Sequence, residues 1–125
     1  MTQSTCIQEY NAISAVLSQY LEGNAQGTSA ATKRAFHDKA TIFGLDGSNV
    51  VGPEIQKLYD IVDTLGVSPN ARAVIARIDV AGTAANARVD SDNVAGYRFT
   101  DFFNLLKIDG TWIIVNKVYH TIKGA

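Results

Sequence analysis

The sequence is poor in the residues that build disulfides, metal sites and basic surfaces. Its 125 residues include one cysteine and two histidines, and the longest run of basic residues is the pair Lys33-Arg34. One cysteine excludes a disulfide within the chain and a cysteine-rich metal site. A net charge of -1 without a basic patch argues against nucleic-acid binding. We expect Cys6, near the start of a helix, to be a small buried apolar residue.

Long apolar runs are also missing, since no segment approaches the ~20 apolar residues of a membrane span. The stretch Met1-Thr2-Gln3-Ser4-Thr5 lacks the basic and apolar segments of a signal peptide. We therefore predict a cytoplasmic protein with no membrane partner. The histidines His37 and His120 have no metal-ligating partners at a recognised spacing, and no glycine-rich nucleotide loop occurs. The sequence thus predicts neither a metal nor a cofactor.

The apolar content is high enough for one folded domain. Hydrophobic residues make up 46% of the chain, and we predict a single domain over residues 1–125. Thr5 and Gln8 have the spacing of a capping box at the start of a first helix, and Gly23 and Gly27 are suited to end it. Ser29 and Pro53 are suited to begin two further helices. The first half of the chain is therefore predicted to be mainly helical.

The second half of the chain is typical of β-strands. From Ala71 onward, segments rich in β-branched and aromatic residues are separated by short groups of turn residues. Turns are predicted at Gly82-Thr83, at Ser91-Asp92-Asn93 and at Asp109-Gly110, and an earlier hairpin at Asp46-Gly47. Three helices followed by these strands predict an α+β fold. The helices then pack on the concave face of a strongly curved, mostly antiparallel sheet.

Three segments carry a resemblance to a known superfamily. They are Tyr20-Leu21-Glu22-Gly23, Phe36-His37-Asp38-Lys39-Ala40-Thr41, and the run from Lys107 to His120 across the final hairpin. Together they resemble the nuclear transport factor 2-like superfamily, and within it the SnoaL-like and putative lumazine-binding branch. The resemblance implies a cystatin-like cone with a small-molecule pocket. It does not fix an activity, because the superfamily hosts transport factors, isomerases, cyclases and dehydratases.

The ketosteroid isomerases of this superfamily imply positions for catalytic groups. By that resemblance, Tyr20 and Asn104 donate hydrogen bonds to an enolate oxygen, and Tyr59 supports Tyr20. The base of those enzymes falls at Gly44, which cannot transfer a proton. Asp46 has the same strand parity as Gly44, but its Asp-Gly pair is predicted to form a turn.

His120 is the alternative base. Period-two alternation places it on one face of the last strand with Ile114, Asn116 and Val118. The resemblance implies that this face points into the cone. A histidine can exchange a proton near neutral pH. Proton transfer next to a carbonyl is then chemically feasible, with Tyr20 and Asn104 as oxyanion donors.

Three functions stay open at this point. The preferred one is a small-molecule-binding protein of unknown specificity with a conical, partly apolar pocket. The second is an isomerase, cyclase or dehydratase that acts next to a carbonyl with His120 as base. The third is a non-catalytic dimeric assembly module whose cone is filled. The predicted ligand-binding residues are Tyr20, Phe43, Tyr59, Val62, Phe102, Asn104, Val118 and His120.

The opposite face of the last two strands predicts self-association. Aromatic and aliphatic side chains there are too numerous to remain in water. A homodimer through this outer sheet face is the expected solution. The residues assigned to it are Tyr97, Phe99, Phe103, Val115, Lys117 and Tyr119.

Overall fold

The computed structural model describes residues 4–123, which form three helices and one six-stranded sheet. Met1 to Gln3, part of the stretch behind the localisation prediction, lie outside the described residues. The elements are α1 (Cys6–Gln26), α2 (Ser29–Arg34), β1 (Phe36–Asp46), β2 (Asn49–Val51), α3 (Gln56–Leu65), β3 (Arg72–Ala81), β4 (Ala84–Val94), β5 (Tyr97–Ile108) and β6 (Thr111–Lys123). The predicted α+β class is confirmed. None of the helices described here is long and apolar enough to cross a membrane.

Local signals place the first helix correctly. The Gln8 backbone N–H donates to Thr5 Oγ1 at 3.1 Å, and the Thr5 N–H donates to Gln8 Oε1 at 2.8 Å, which completes the capping box. Gly27 ends α1 with a φ of 68°. Cys6 is exposed, contrary to the expectation, because the buried face of α1 begins only at Ile13.

The sheet is a long antiparallel meander with one parallel pairing. Its order is β2-β1-β6-β5-β4-β3, and β1 runs parallel to β6. The predicted turn at Ser91-Asp92-Asn93 is wrong, since β4 continues to Val94 and the reversal falls at Ala95-Gly96. The pairing shifts between Ser91 and Val94, and Asn93 there has a φ of 59°. The polar residues therefore mark an irregularity within the strand.

A bulge in β6 decides which side chains enter the interior. Asn104 pairs with Asn116, but the next residue, Leu105, pairs with Ile114, so that β6 holds one extra residue at Val115. An extra residue moves all later side chains to the opposite face. Ile114 and Lys117 are consequently both buried.

The inward face of β5 is also opposite to the predicted one. Asp101, Phe103 and Leu105 are buried, whereas Phe102 and Asn104 are exposed. Both faces of this strand are rich in apolar side chains, so alternation alone could not distinguish them. The placement of Asn104 and His120 in the cone is thereby corrected.

Aromatic side chains fill the interior between α1 and the sheet. The Tyr20 ring packs edge-on against Phe36 and Phe103, at centroid distances of 5.7 and 5.1 Å. Phe36 in turn contacts Tyr59 of α3 at 6.3 Å. Such edge-to-face pairs add to the stabilisation from burial. This packing fixes Tyr20 of α1 against β1 and β5.

Candidate functional site

Three polar side chains meet in the interior. Lys117 Nζ donates to Tyr20 Oη at 2.6 Å, and Tyr20 Oη donates to Asp101 Oδ2 at 3.3 Å. Lys117 Nζ also lies 3.5 Å from Asp101 Oδ1, which is an ion-pair distance. Lys117 is 4% exposed, and Tyr20 and Asp101 are each 1% exposed. We call this cluster the Lys117–Tyr20–Asp101 triad.

Burial shifts the proton affinities of the triad. It raises the pKa of the Asp101 carboxyl, an effect that the Lys117 charge opposes. Burial lowers the pKa of the Lys117 ammonium, and Asp101 opposes that shift. Burial also raises the pKa of Tyr20 well above its usual range, and Asp101 adds to the rise. Because the pKa values of Lys117 and Asp101 move towards each other, proton transfer between them costs less than in water.

A cavity of about 310 Å³ opens next to the triad. Tyr20 and Lys117 line it, and Asp46 is the carboxylate among its lining residues. Most of the wall is aliphatic or aromatic, including Ile42, Leu58, Val62, Tyr97, Phe99 and Tyr119. An apolar wall with a few convergent polar groups is the usual composition of a small-molecule site.

Asn24 adds an acceptor to the cavity. It lies four residues after Tyr20, on the same face of α1. Its Oδ1 atom is buried and has no hydrogen-bond partner within residues 4–123, and the side chain lines the cavity. A buried acceptor without a partner carries a desolvation cost of about 1–3 kcal/mol.

Tyr119 occupies the space next to Gly44, the position where the resemblance places a catalytic base. The two residues are paired across β1 and β6, and a Cβ atom at Gly44 would overlap the Tyr119 ring. Burial raises the pKa of Tyr119, with Asp46 and Asp101 adding to the rise. Lys117 Nζ lies 5.2 Å from the centre of this ring and 4.9 Å from that of Tyr20. The ammonium group thus lies between the hydroxyl end of Tyr20 and the Tyr119 ring.

The predicted ligand-binding residues separate into three places. Tyr20 and Val62 line the cavity. Tyr59 instead lines a more open cleft of about 510 Å³ between α3 and β1, and burial together with Asp38 raises its pKa to about 12. The other predicted residues have exposed side chains on the outer face of the sheet, and they are Phe43, Phe102, Asn104, Val118 and His120. The hydrogen-bond partners of Tyr20 are therefore Asp101 and Lys117, in place of the predicted grouping with Tyr59 and Asn104.

The residues predicted for the dimer face turn out to lie mostly inside. Phe103 and Lys117 are buried, and Tyr97, Phe99 and Tyr119 line the cavity, while Val115 occupies the bulge. This correction has the same cause as the misplacement of His120, because the assignment of both faces rested on strict alternation. Charged residues between apolar ones on a single strand face, such as Asp101 between Phe99 and Phe103, were the available signal for the triad.

The outer face carries a hydrogen-bonded row of amides. Asn86 Nδ2 donates to Asn104 Oδ1 at 3.0 Å, and Asn104 Nδ2 donates to Asn116 Oδ1 at 3.0 Å. Asn116 Nδ2 donates to Thr41 Oγ1 at 3.1 Å. This asparagine row crosses β4, β5, β6 and β1, with Phe43, Phe102, Leu106 and Val118 exposed on the same strands.

Metal binding has no structural support among the residues described. Within residues 4–123, no group of three or more His, Cys, Asp or Glu side chains is placed to hold an ion. The polar side chains that line the cavity include the amine of Lys117, the phenol of Tyr20 and the carboxylate of Asp46.

Known proteins share this fold over nearly the whole chain. A family model described as "Putative lumazine-binding" matches residues 8–120. "Aldolase FrzH" from Cladobotryum sp is 33% identical over 125 residues, which cover 97% of this chain and 98% of that protein. A crystal structure of a nuclear transport factor 2-like protein from Shewanella baltica OS155 has a TM-score of 0.94 at 50% identity, over 98% of this chain and 100% of that one. Another from Methylobacillus flagellatus KT has a TM-score of 0.89 at 40% identity, over 98% of each chain.

Proposed function

The chain belongs to the putative lumazine-binding family of nuclear transport factor 2-like proteins, and we propose that it binds a small carbonyl compound in its cavity and promotes proton loss from the carbon next to the carbonyl. The observation that carries this proposal is the contact of 2.6 Å between Lys117 Nζ and Tyr20 Oη at the cavity wall. The Lys117 ammonium, which Tyr20 holds in place, is a donor suited to a carbonyl oxygen that becomes negative during the reaction.

The number of hydrogen-bond donors on Lys117 supports its role in binding the carbonyl oxygen. An ammonium group has three N–H donors. Tyr20 accepts one of them and Asp101 lies at ion-pair distance for a second. The third is available to a ligand oxygen in the cavity. Because Lys117 Nζ is buried and most of the surrounding wall is apolar, an interaction with a developing enolate is stronger there than at the surface.

We assign the role of proton acceptor to Asp46. Its carboxylate lines the same cavity as Lys117 and Tyr20. Asp46 lies two residues after Gly44 on β1, so it has the strand parity of the position where the resemblance places a base. A carboxylate can take a proton from carbon when the resulting enolate is held by donors.

The similarity to a protein named as an aldolase agrees with this chemistry. An aldolase makes or breaks a carbon–carbon bond next to a carbonyl, and the step requires an enolate or an equivalent carbanion. The proposal for this chain is restricted to that common step. The identity of the carbonyl compound is limited by the cavity, whose volume of about 310 Å³ suits a monocyclic or bicyclic ketone.

Two measurements test the proposal. Cyclohexanone and 2-decalone, at a hundred times their dissociation constants, should each add ~2.7 kcal/mol to the free energy of unfolding and raise the melting temperature. In deuterium oxide, proton NMR should show loss of the hydrogens next to their carbonyl groups at a rate above that in buffer. Asp46→Asn should retain the shift and slow the exchange, whereas Asp92→Asn, an exposed control outside the cavity, should change neither.

The outcomes separate binding from chemistry. A melting shift without exchange supports the narrower function of small-molecule binding and contradicts the proton transfer. No shift and no exchange with either ketone would contradict the whole proposal.

We also propose that two copies of the chain associate through the outer face of the sheet. Phe43 and Phe102 are 40% and 39% exposed there, next to the asparagine row. Five strands spaced ~4.8 Å apart and ~33 Å long present roughly 800 Å², which is the area each partner contributes to an interface of standard size. Apolar side chains on one open face are a recognised feature of interaction surfaces.

Sedimentation velocity at tens of micromolar protein tests this assembly. The wild type and Val67→Asp, a control that alters an exposed apolar residue outside the strands, should sediment as dimers. Phe102→Asp should sediment as a monomer, because association would have to bury a charged carboxylate in place of an apolar ring. A monomeric wild type would contradict the assembly without affecting the cavity.

A further inference from the structure

Lys117 combines the features of a nucleophilic amine, and we propose that it forms a Schiff base with the carbonyl carbon of the bound compound. This inference rests on the proposed function and names the way in which the carbonyl is activated. It adds a covalent step to what binding alone would supply. The supporting observations are the position of the amine, its proton acceptors and its difference from the other ion-paired lysines.

The position of Lys117 is unusual for a structural ion pair. It lies at the wall of a cavity large enough for a bicyclic ketone, between the hydroxyl end of Tyr20 and the Tyr119 ring. Lys107, by comparison, pairs with Glu9 at 2.8 Å, keeps 23% of its side chain exposed and lies outside this cavity. Lys107 thus provides an internal control for lysine chemistry in the same chain.

The surroundings of Lys117 favour removal of its proton. Asp101 lies 3.5 Å from Nζ, and Tyr20 Oη lies 2.6 Å away and bridges to the other carboxylate oxygen. The ionisable groups around Lys117 and its partners are Tyr20 on α1, Asp101 on β5, Tyr119 on β6, Asp46 on β1 and Asp90 on β4. Burial lowers the pKa of Lys117, which increases the neutral fraction that can attack carbon.

The step balances with the groups present. Lys117 gives one proton to Asp101, and its lone pair then forms a bond to the carbonyl carbon. The carbonyl oxygen takes the excess proton from the attacking nitrogen, which gives a neutral carbinolamine. The carbon–oxygen bond breaks, the oxygen leaves as water after receiving the proton held by Asp101, and a cationic imine remains. Loss of a proton from the adjacent carbon to Asp46 then gives a neutral enamine.

The test uses benzaldehyde, which can form a Schiff base but has no hydrogen on the carbon next to its carbonyl. The full-length protein is incubated with benzaldehyde and sodium cyanoborohydride, which reduces an imine to a stable amine. Intact mass spectrometry and peptide mapping then locate the adduct. We expect one adduct per chain, on Lys117, at a time when exposed lysines such as Lys57 and Lys123 are unlabelled.

Matched variants separate reactivity from folding. Lys117→Arg keeps the positive charge but cannot form the imine, so it should lose the adduct, whereas Lys107→Arg should keep it. Melting curves of both variants report whether they fold. The peptide map of the wild type decides the question even when Lys117→Arg is unfolded, because it requires no variant.

The outcomes distinguish this inference from the proposed function. Hydrogen exchange on 2-decalone with no adduct on Lys117 overturns the Schiff base and leaves proton transfer by hydrogen bonding alone. An adduct on Lys117 without exchange supports the Schiff base and contradicts the proton transfer. Labelling spread equally over the exposed lysines, and unchanged in Lys117→Arg, overturns the inference.

Discussion

The two faces of the sheet place polar groups in opposite surroundings. On the inner face, Lys117 and Asp101 are almost fully buried and depend on each other and on Tyr20. On the outer face, the asparagine row is exposed, and its neutral amides can exchange their partners for water. A buried charge without a partner costs several kcal/mol, while an exposed amide loses little. The inner face should therefore dominate stability and chemistry, and the outer face should affect association.

Breaking the buried ion pair should have the largest effect on stability. Asp101→Leu leaves the Lys117 ammonium uncompensated and should lower the free energy of unfolding by about 3–5 kcal/mol. The double variant Asp101→Leu/Lys117→Met removes both charges and should recover most of that loss. Urea denaturation measures all three proteins. A double variant as unstable as Asp101→Leu would show that the pair is held by contacts other than the charge interaction.

Gly44→Ala tests the packing of the inner face at the site where a carboxylate was expected. The added Cβ atom would overlap the Tyr119 ring, and overpacking of this kind costs ~1–3 kcal/mol. The same change in a Tyr119→Ala background should cost clearly less, since the obstructing ring is absent. Thermal denaturation of the four proteins measures the coupling. Equal costs in both backgrounds would contradict the contact.

The pH dependence of stability should differ between wild type and the double variant. Asp101 has a raised pKa in the folded state, so the folded protein binds more protons than the unfolded chain above about pH 4. The wild type should therefore lose stability relative to Asp101→Leu/Lys117→Met as the pH rises from 4 towards the folded pKa. In alkaline solution the lowered pKa of Lys117 acts in the opposite direction, and relative stability should rise as the pH approaches 10.5. A pH-independent difference between the two proteins would contradict both shifts.

Asn104→Ala should give the smallest change in the folding of the monomer. The side chain is exposed and its partners Asn86 and Asn116 can bond to water instead, so the free energy of unfolding should change by no more than ~0.5 kcal/mol. Ketone binding should be unchanged because the cavity lies on the other face. Loss of ketone binding in this variant would place the ligand on the outer face and contradict the assignment of ligand binding to the inner face.

Most of the fold, and little of the site, could be predicted from the chain. The capping box of Thr5 and Gln8 depends on residues three positions apart, and the structure contains it. The signal for the final hairpin is equally local, because it consists of the neighbours Asp109 and Gly110. Both residues have a positive φ in the structure, at 51° and 80°. The prediction of the site was wrong because both faces of β5 are apolar and because one extra residue at Val115 reverses the alternation of β6.

The sequence by itself therefore determined the helices, the strands and their α+β arrangement, because capping, turn formation and apolar periodicity depend on residues close together in the chain. Only the tertiary structure decided which face of each strand enters the interior. It also brought Tyr20 within hydrogen-bond distance of Asp101 and Lys117, which lie 81 and 97 positions away. The physical reason is that the bulge in β6 and the burial of a charge pair depend on how β5, β6 and α1 pack together. No local pattern of residues records that packing.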